Sequence, residues 1–159
     1  MNEKLENGLV RPHWVLTDPD EMNAFALLVS QLHPVKMLDV GMFLKRIGAI
    51  SRSFRNFEIP SDTELFGLDL TGAEVEIYHV LFRQIVTAQD YQEMYRGEQF
   101  DLVVLFEAEK LMDEAAYLGL WEWVLLHTKR IFTTDGKTAA LFSGAIAPVT
   151  VNGREYYIL

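Results

Sequence analysis

The segment that most constrains the fold of this chain is residues 35–45, Val-Lys-Met-Leu-Asp-Val-Gly-Met-Phe-Leu-Lys. It predicts a buried strand that ends in Asp39-x-Gly41 and passes directly into a helix. In doubly wound α/β proteins, a nucleotide-like cofactor binds at such a turn. A small residue is expected two positions after Gly41, and the chain has Phe43 there instead. The sequence therefore raises the question of whether this turn can hold a cofactor.

Length and composition predict one globular domain. The chain has 159 residues, of which 50% are hydrophobic and 12% aromatic, enough for a core without crosslinks. It contains no cysteine, which excludes disulfides, thiolate metal sites and a cysteine nucleophile. Residues 1–8 lack the apolar core of a signal peptide, and no segment has the length of a membrane span. We therefore expect a soluble, cytoplasmic protein with no membrane partner.

The chain is acidic, with a formal net charge of −9 and an isoelectric point near 4.8. This charge argues against broad binding to a phosphate backbone, which requires a basic surface, so we expect no nucleic-acid partner. Four basic residues do lie close together, and a solvated helix face is the simpler interpretation of that cluster. They are Lys45, Arg46, Arg52 and Arg55.

Strands and helices alternate along the chain. After an irregular segment at residues 1–17, a helix is predicted from the Asp18 N-cap to His33, where Pro34 stops it. The predicted strands cover residues 35–40, 64–70, 83–88, 100–106 and 131–133. The further predicted helices cover residues 42–56, 73–80 and 113–128, while residues 137–147 fit either a helix or a strand. The Asn152-Gly153 pair predicts a closing hairpin.

This alternation predicts a three-layer α/β fold. Repeated strand–helix units require a mostly parallel, doubly wound sheet with helices on both faces. The C-terminal hairpin adds an antiparallel pair at one edge of that sheet. Because no internal repeat or linker divides the chain, residues 1–159 are expected to form a single domain.

Acidic residues follow four successive predicted strands. Ligands of doubly wound sheets bind at the carboxyl ends of the strands, near the point where the strand order reverses. One acid in such a position is common in loops, but four in succession indicate a ligand site. The four acids are Asp39, Asp69, Asp90 and Glu107.

In these segments the chain resembles the class I S-adenosylmethionine-dependent methyltransferases, from about residue 18 to residue 159. The matching segments are residues 37–41, 66–70, 86–90 and 100–107. The last of them, Phe-Asp-Leu-Val-Val followed by an acid, is the most specific. Each motif is short, and their order and spacing carry the resemblance. It implies a Rossmann-like methyltransferase fold and S-adenosylmethionine as the cofactor.

The resemblance also implies a role for each acid. In that family the residues matching Asp39 and Gly41 line the methionine part of the cofactor. The acid matching Asp69 accepts hydrogen bonds from the ribose hydroxyls, a task that suits a carboxylate. The acid matching Asp90 faces the adenine amine, and Glu107 falls near the methyl-transfer end.

The turn departs from the family pattern, because Phe43 and Lys45 stand where the family has glycines. A phenylalanine there fills the space of the cofactor's methionine tail unless its side chain turns into the core. Its helical spacing with Ile47 and Ile50 permits that rotation. The Glu-His-Leu element that many small-molecule members carry after the acid matching Glu107 is also missing.

No catalytic group is indicated by the sequence. The four histidines are scattered, with no pair at the spacing of metal ligands, so we expect no metal. Neither a nucleophile elbow nor a P-loop occurs. Methyl transfer from a sulfonium can proceed by positioning alone, so a missing base does not exclude it.

The favoured function on sequence grounds is a methyltransferase-like domain that has lost catalysis and acts as a binding or assembly module. The glycine-poor turn supports this, as do aromatic side chains that are expected to be exposed. These are Tyr78, Tyr91, Tyr95, Trp123, Tyr156 and Tyr157. The alternative is an active S-adenosylmethionine-dependent methyltransferase that acts on a small molecule. The partner is then a small molecule or a protein, and homo-oligomerisation stays open.

Two other functions fit the pattern less well. A flavodoxin-like phospho-receiver needs an acid pair at the end of the first strand, and the chain offers only Asp39. A nicotinamide dehydrogenase needs G-x-G-x-x-G, which residues 41–46 do not satisfy.

Overall fold

A computed structural model describes residues 2–4, 10–12, 29, 31–46, 59–71, 81–144, 147–151 and 154–159. The predicted helix at residues 73–80 lies outside this part of the chain. So do most of the helices predicted at residues 18–33 and 42–56, and the Asn152-Gly153 turn.

The N-terminal segment contains two short strands, β1 (Asn2–Lys4) and β2 (Val10–Pro12). They pair antiparallel with Glu3 opposite Arg11. The prediction of an irregular segment at residues 1–17 is therefore wrong at these strands. A strand of three residues has too few positions to show the alternation that identifies a strand in a sequence.

Seven further strands form one sheet in the order β5-β4-β3-β6-β7-β9-β8. Their bounds are β3 (Lys36–Val40), β4 (Glu64–Asp69), β5 (Gln84–Thr87), β6 (Leu102–Leu105), β7 (Ile131–Thr133), β8 (Val149–Val151) and β9 (Arg154–Ile158). The five neighbouring strands β5-β4-β3-β6-β7 pair in parallel, whereas β9 runs antiparallel to both β7 and β8. This confirms the predicted Rossmann-like fold with its C-terminal antiparallel pair.

The strand order reverses between β3 and β6. From β3 the chain moves to β4 and β5 on one side, and it then crosses to β6 and β7 on the other. Ligands of open α/β sheets bind at this switch point. The flavodoxin-like order places the first strand between the second and the third, whereas β3 lies between the second and the fourth strand of its sheet. This order excludes the phospho-receiver.

In the described ranges, four helices and one 3₁₀ turn follow strands of the sheet. They are α1 (Phe43–Arg46), α2 (Tyr91–Met94), the 3₁₀ turn at Ala108–Leu111, α3 (Glu114–His127) and α4 (Gly136–Ser143). Asp113 caps α3 by accepting a hydrogen bond from Ala116 N at 2.8 Å. Asp135 caps α4 in the same way through Thr138 N at 3.0 Å. The ambiguous segment at residues 137–147 is therefore mainly helical.

The core lies on both faces of the sheet, which explains the nearly continuous apolar run of β3. Met37 belongs to the cluster on one face and Leu38 to the cluster on the other. The first cluster contains Phe43 and Phe106, and the second contains Trp121 of α3, which stacks against Phe142 of α4.

Four aromatic residues that were expected to be exposed are buried: Tyr91, Tyr95, Trp123 and Tyr156. The hydroxyl of Tyr95 donates to Gly67 O at 2.9 Å, and the Tyr91 ring packs edge-on against Trp123 at 5.0 Å between centroids. The prediction is wrong for these four because each fills the core beside the sheet. Tyr157 is half-buried, and Tyr78 lies outside the described part of the chain.

Helix α3 is apolar on nearly every side, so spacing alone does not identify its core face. The structure buries Tyr117, Trp121, Trp123 and Val124 and leaves Leu125 38% exposed.

Candidate functional site

The carboxylate of Asp39 holds the turn after β3. Asp39 is fully buried, and its oxygens accept hydrogen bonds from Phe43 N at 2.8 Å and Leu44 N at 2.9 Å. These N–H groups lie in the first turn of α1, where backbone donors have no helical partner. Asp39 therefore fixes the point at which α1 begins.

The backbone of the turn is left-handed at two successive residues, Gly41 with φ 81° and Met42 with φ 56°. Gly41 N donates to Leu68 O at 2.8 Å, which ties the turn to β4. A left-handed residue other than glycine costs roughly 1–2 kcal/mol. The side chain of Met42 is 1% exposed, and its sulfur would lie 2.6 Å from a Cβ added to Gly67. Gly67 thus provides the space that Met42 fills.

The side chain of Phe43 points into the core. It is 1% exposed and packs edge-on against Phe106, with 4.9 Å between ring centroids. Phe106 packs in turn against Phe132 at 4.7 Å, so the three rings form one buried row. The Phe43 side chain therefore turns into the core, the rotation that its helical spacing permits. The Lys45 side chain lies outside the described part of the chain.

At the end of β4, Asp69 is 3% exposed, and one of its two carboxylate oxygens accepts hydrogen bonds from described residues. Its Oδ1 accepts hydrogen bonds from Thr71 N at 3.0 Å and Thr71 Oγ1 at 2.9 Å. Its Oδ2 makes no hydrogen bond to the residues that the structure describes. This oxygen can still accept donors from a ligand.

The two outer acids are more accessible. Asp90 is exposed at the start of α2, and its Oδ2 accepts a hydrogen bond from Thr87 Oγ1 at 3.2 Å. Glu107 follows β6 with φ 55°, and its Oε1 lies 3.1 Å from Lys110 Nζ. The backbone N–H of Glu107 donates to Thr134 Oγ1 at 3.1 Å, which joins the ends of β6 and β7.

The five residues predicted from the sequence lie at or near the carboxyl ends of four neighbouring strands. Gly41, Asp69, Asp90 and Glu107 lie at the carboxyl edge of β3, β4, β5 and β6. At ordinary strand spacing this edge is about 14 Å wide. Asp39 lies beneath the turn with both carboxylate oxygens occupied, so it shapes the edge without facing it.

Strained backbone occurs on both sides of the switch point. Within the described ranges, three non-glycine residues have a positive φ: His33, Met42 and Glu107. Met42 and Glu107 come within two residues of the ends of β3 and β6, the two strands that flank the switch point. Strain of this kind concentrates at binding sites.

A cavity of about 370 Å³, which no sequence motif predicted, lies between the N-terminal ends of α3 and α4. Glu109, Tyr117 and Asp135 line it, and the Tyr117 hydroxyl donates to Asp135 Oδ2 at 2.8 Å. Burial raises the pKa of Glu109, and the nearby Asp135 and Glu107 raise it further. Asp135 also follows a parallel strand, β7. Its position was the sequence signal from which this cavity could have been predicted.

The described ranges contain neither a metal-ligand cluster nor a membrane-spanning helix. No three histidine, aspartate or glutamate side chains there are grouped so that they could hold a metal ion. No helix in the same residues combines the length and apolar character needed to cross a membrane.

No protein-family model matches the chain, and no curated protein matches its sequence. Solved structures do match. The 16S rRNA methylase ArmA is 11% identical with a TM-score of 0.56, covering 92% of this chain and 83% of that one. A putative O-methyltransferase from Klebsiella pneumoniae is 15% identical with a TM-score of 0.51, and the match covers 82% of this chain and 62% of that one. An rRNA methylase from Escherichia coli is 17% identical with a TM-score of 0.49, covering 87% and 62%.

This chain therefore spans less than two thirds of the length of the Klebsiella and Escherichia proteins. At such identities the likeness concerns the fold alone. Together with the strand order and the C-terminal antiparallel pair, it shows that the chain has a Rossmann-like methyltransferase fold.

Proposed function

We propose that this chain is a methyltransferase that binds S-adenosylmethionine at the carboxyl ends of β3 to β6 and acts on a small molecule. The observation that carries the proposal is the burial of Phe43 against Phe106. The steric reason to expect a lost cofactor site was a phenylalanine in the place of the methionine tail. That reason does not apply to a side chain in the core.

The residues at this edge fit such a cofactor. Gly41 has no side chain and allows close approach of a ligand to the backbone. Asp69 offers Oδ2 to the ribose hydroxyls, and Asp90 is accessible to the adenine amine. When bound, S-adenosylmethionine supplies a methyl group on a positively charged sulfur.

The charge of the edge also suits that cofactor. Asp69, Asp90 and Glu107 place three acids there, and Lys110 pairs with Glu107. Carboxylates at this edge favour a ligand that carries a sulfonium and an ammonium group. Glu107, beside the switch point, can hold an acceptor's hydrogen-bond donor in position.

A non-catalytic binding module is the second candidate function. It is favoured by the two hydrogen bonds that Asp39 accepts, because they occupy the N–H groups of Phe43 and Leu44. The turn then has fewer donors for the cofactor's carboxylate. The burial of Tyr91, Tyr95, Trp123 and Tyr156 removes the exposed aromatic surface that was the other reason for this candidate.

A calorimetric titration with S-adenosylhomocysteine tests the proposal. We expect binding at micromolar strength, and Asp69→Ala should weaken it by about 1.5–3 kcal/mol, the scale of hydrogen bonds to a charged group. The control is Asp62→Ala, which removes an exposed acid at the other end of β4. Absence of binding at millimolar ligand would favour the non-catalytic module. Equal binding by Asp69→Ala and the unaltered chain would mean that the ribose site is elsewhere.

A further inference from the structure

We infer that the cavity between the N-terminal ends of α3 and α4 is a binding site for a small primary amine with an apolar body. The inference goes beyond the proposed function, and it does not require the cofactor to bind. It rests on the shape of the cavity, its charges and its unpartnered polar atoms.

The cavity has the size and place of a ligand site. Its volume of about 370 Å³ lies within the range of small-molecule pockets. It is bordered by the 3₁₀ turn after β6 and by the first turns of α3 and α4, the latter following β7. It therefore opens at the carboxyl edge of the sheet, where ligands of α/β proteins bind.

The charged groups of the cavity favour a cation. Glu109, Glu114 and Asp135 line it, against one lysine, Lys137, which is exposed. Asp135 is held in place because its Oδ2 accepts from Tyr117 and its Oδ1 accepts from Thr138 N. Fixed carboxylates of this kind attract an ammonium group more strongly than mobile surface acids do.

Two buried polar atoms, one in the 3₁₀ turn and one in α3, find no hydrogen-bond partner among the described residues. Glu109 Oε2 is buried and accepts no hydrogen bond from the described residues. The indole N–H of Trp121, which is fully buried, finds no acceptor among the described residues. Buried polar atoms are nearly always satisfied in folded proteins. The N–H groups of a bound amine would supply the donor that Glu109 lacks.

The remaining residues of the cavity lining are the reason to expect an apolar part in the ligand. Leu118 and Leu141 form one wall, and Leu141 is 69% exposed at the mouth of the cavity. Together the two leucines give the cavity an apolar part beside its charged groups, which is the usual make-up of a small-molecule pocket. An amine that carries an alkyl or aryl group would cover Leu141 while its nitrogen reaches Glu109 and Asp135.

Electrostatics at Glu109 agree with this ligand. Burial raises the pKa of Glu109, and repulsion from Asp135 and Glu107 raises it further, while Lys110 acts in the opposite direction. A cation bound between Glu109 and Asp135 would offset that repulsion. If the proposed function holds, the amine would be the methyl acceptor, held beside the 3₁₀ turn that follows Glu107.

The test is a calorimetric titration of the unaltered chain with 2-phenylethylamine and with its neutral analogue 2-phenylethanol. We expect a Kd of about 10 µM to 1 mM for the amine and at least a roughly tenfold weaker one for the alcohol. S-adenosylhomocysteine is omitted, so a failure of this site and a failure of the cofactor site are read separately.

Variants locate the site. Glu109→Gln should weaken amine binding at least about fivefold, while Glu122→Gln, an exposed glutamate of α3 away from the cavity, should not change it. If Glu109→Gln does not fold, Leu141→Lys should weaken amine binding through repulsion, and Leu141→Gln should do so much less. Equal affinity for the amine and the alcohol would overturn the inference. So would equal effects of Glu109→Gln and Glu122→Gln, or of the two Leu141 variants.

Discussion

At the scale of single residues, the turn after β3 accommodates a ring where its fold relatives are expected to have a glycine. Phe43 contributes its side chain to the aromatic row with Phe106 and Phe132, and its backbone N–H to Asp39. The residue therefore supports the turn from beneath. In the proposed function, a ligand above the turn would meet the backbone at Gly41.

Phe43→Ala should destabilise the chain by about 3–5 kcal/mol, because it leaves a cavity against Phe106. Urea unfolding followed by circular dichroism measures the change. Val35→Ala is the control, since Val35 is 62% exposed and should cost little. A cost below about 1 kcal/mol for Phe43→Ala would show that the ring is not part of the core.

At the scale of elements, the turn and β4 fit each other closely. Met42 can take its left-handed, buried position because Gly67 leaves room for its sulfur. A Cβ at Gly67 would also lie 3.3 Å from Phe82 and Ile85. The glycine of β4 and the methionine of the turn are thus one packing unit.

Gly67→Ala should therefore cost about 1–3 kcal/mol through overpacking. In the background of Met42→Ala the same substitution should cost distinctly less, because the sulfur it collides with is gone. Thermal or urea unfolding of the two single variants and the double variant gives the coupling energy. Additive effects would contradict the packing unit.

The 3₁₀ turn after β6 carries a pH-dependent cost. Because burial, then Asp135 and Glu107, raise the pKa of Glu109 above its ordinary 4.5, the folded state resists ionisation of this carboxyl. The contribution of Glu109 to the free energy of unfolding is therefore fully present below its pKa in the unfolded chain. This contribution falls as the pH rises through its pKa in the folded chain. Glu109→Gln should raise stability at pH 7 by about 0.5 kcal/mol and leave it unchanged below about pH 4. Denaturant unfolding across this pH range, with Glu122→Gln as the control, measures the effect; a gain that is independent of pH would be inconsistent with it.

At the scale of the whole molecule, the sheet and the acids at its carboxyl edge were predictable from the sequence. The direction in which side chains such as Phe43 point was not. The apolar runs of β3 and β6 and the acids that follow them are local patterns, so they identify strands and their carboxyl ends. Whether Phe43 faces the core depends on Phe106, sixty-three positions later.

The cavity and the buried aromatic residues escaped prediction for a related reason. Glu109, Tyr117 and Asp135 come from three elements and meet only because α3 and α4 begin side by side. Tyr95 and Trp123 lie in segments without a clear apolar face, so their burial follows from packing against distant residues.

Whether Phe43 stays in the core when the cofactor binds is tested most directly by a crystal structure of the chain with S-adenosylhomocysteine. We expect the ligand across the carboxyl ends of β3 and β4, with the ribose at Asp69 and the Phe43 and Phe106 rings still about 4.9 Å apart. A chain that binds the ligand elsewhere, or only with Phe43 displaced from the core, would contradict the proposed site.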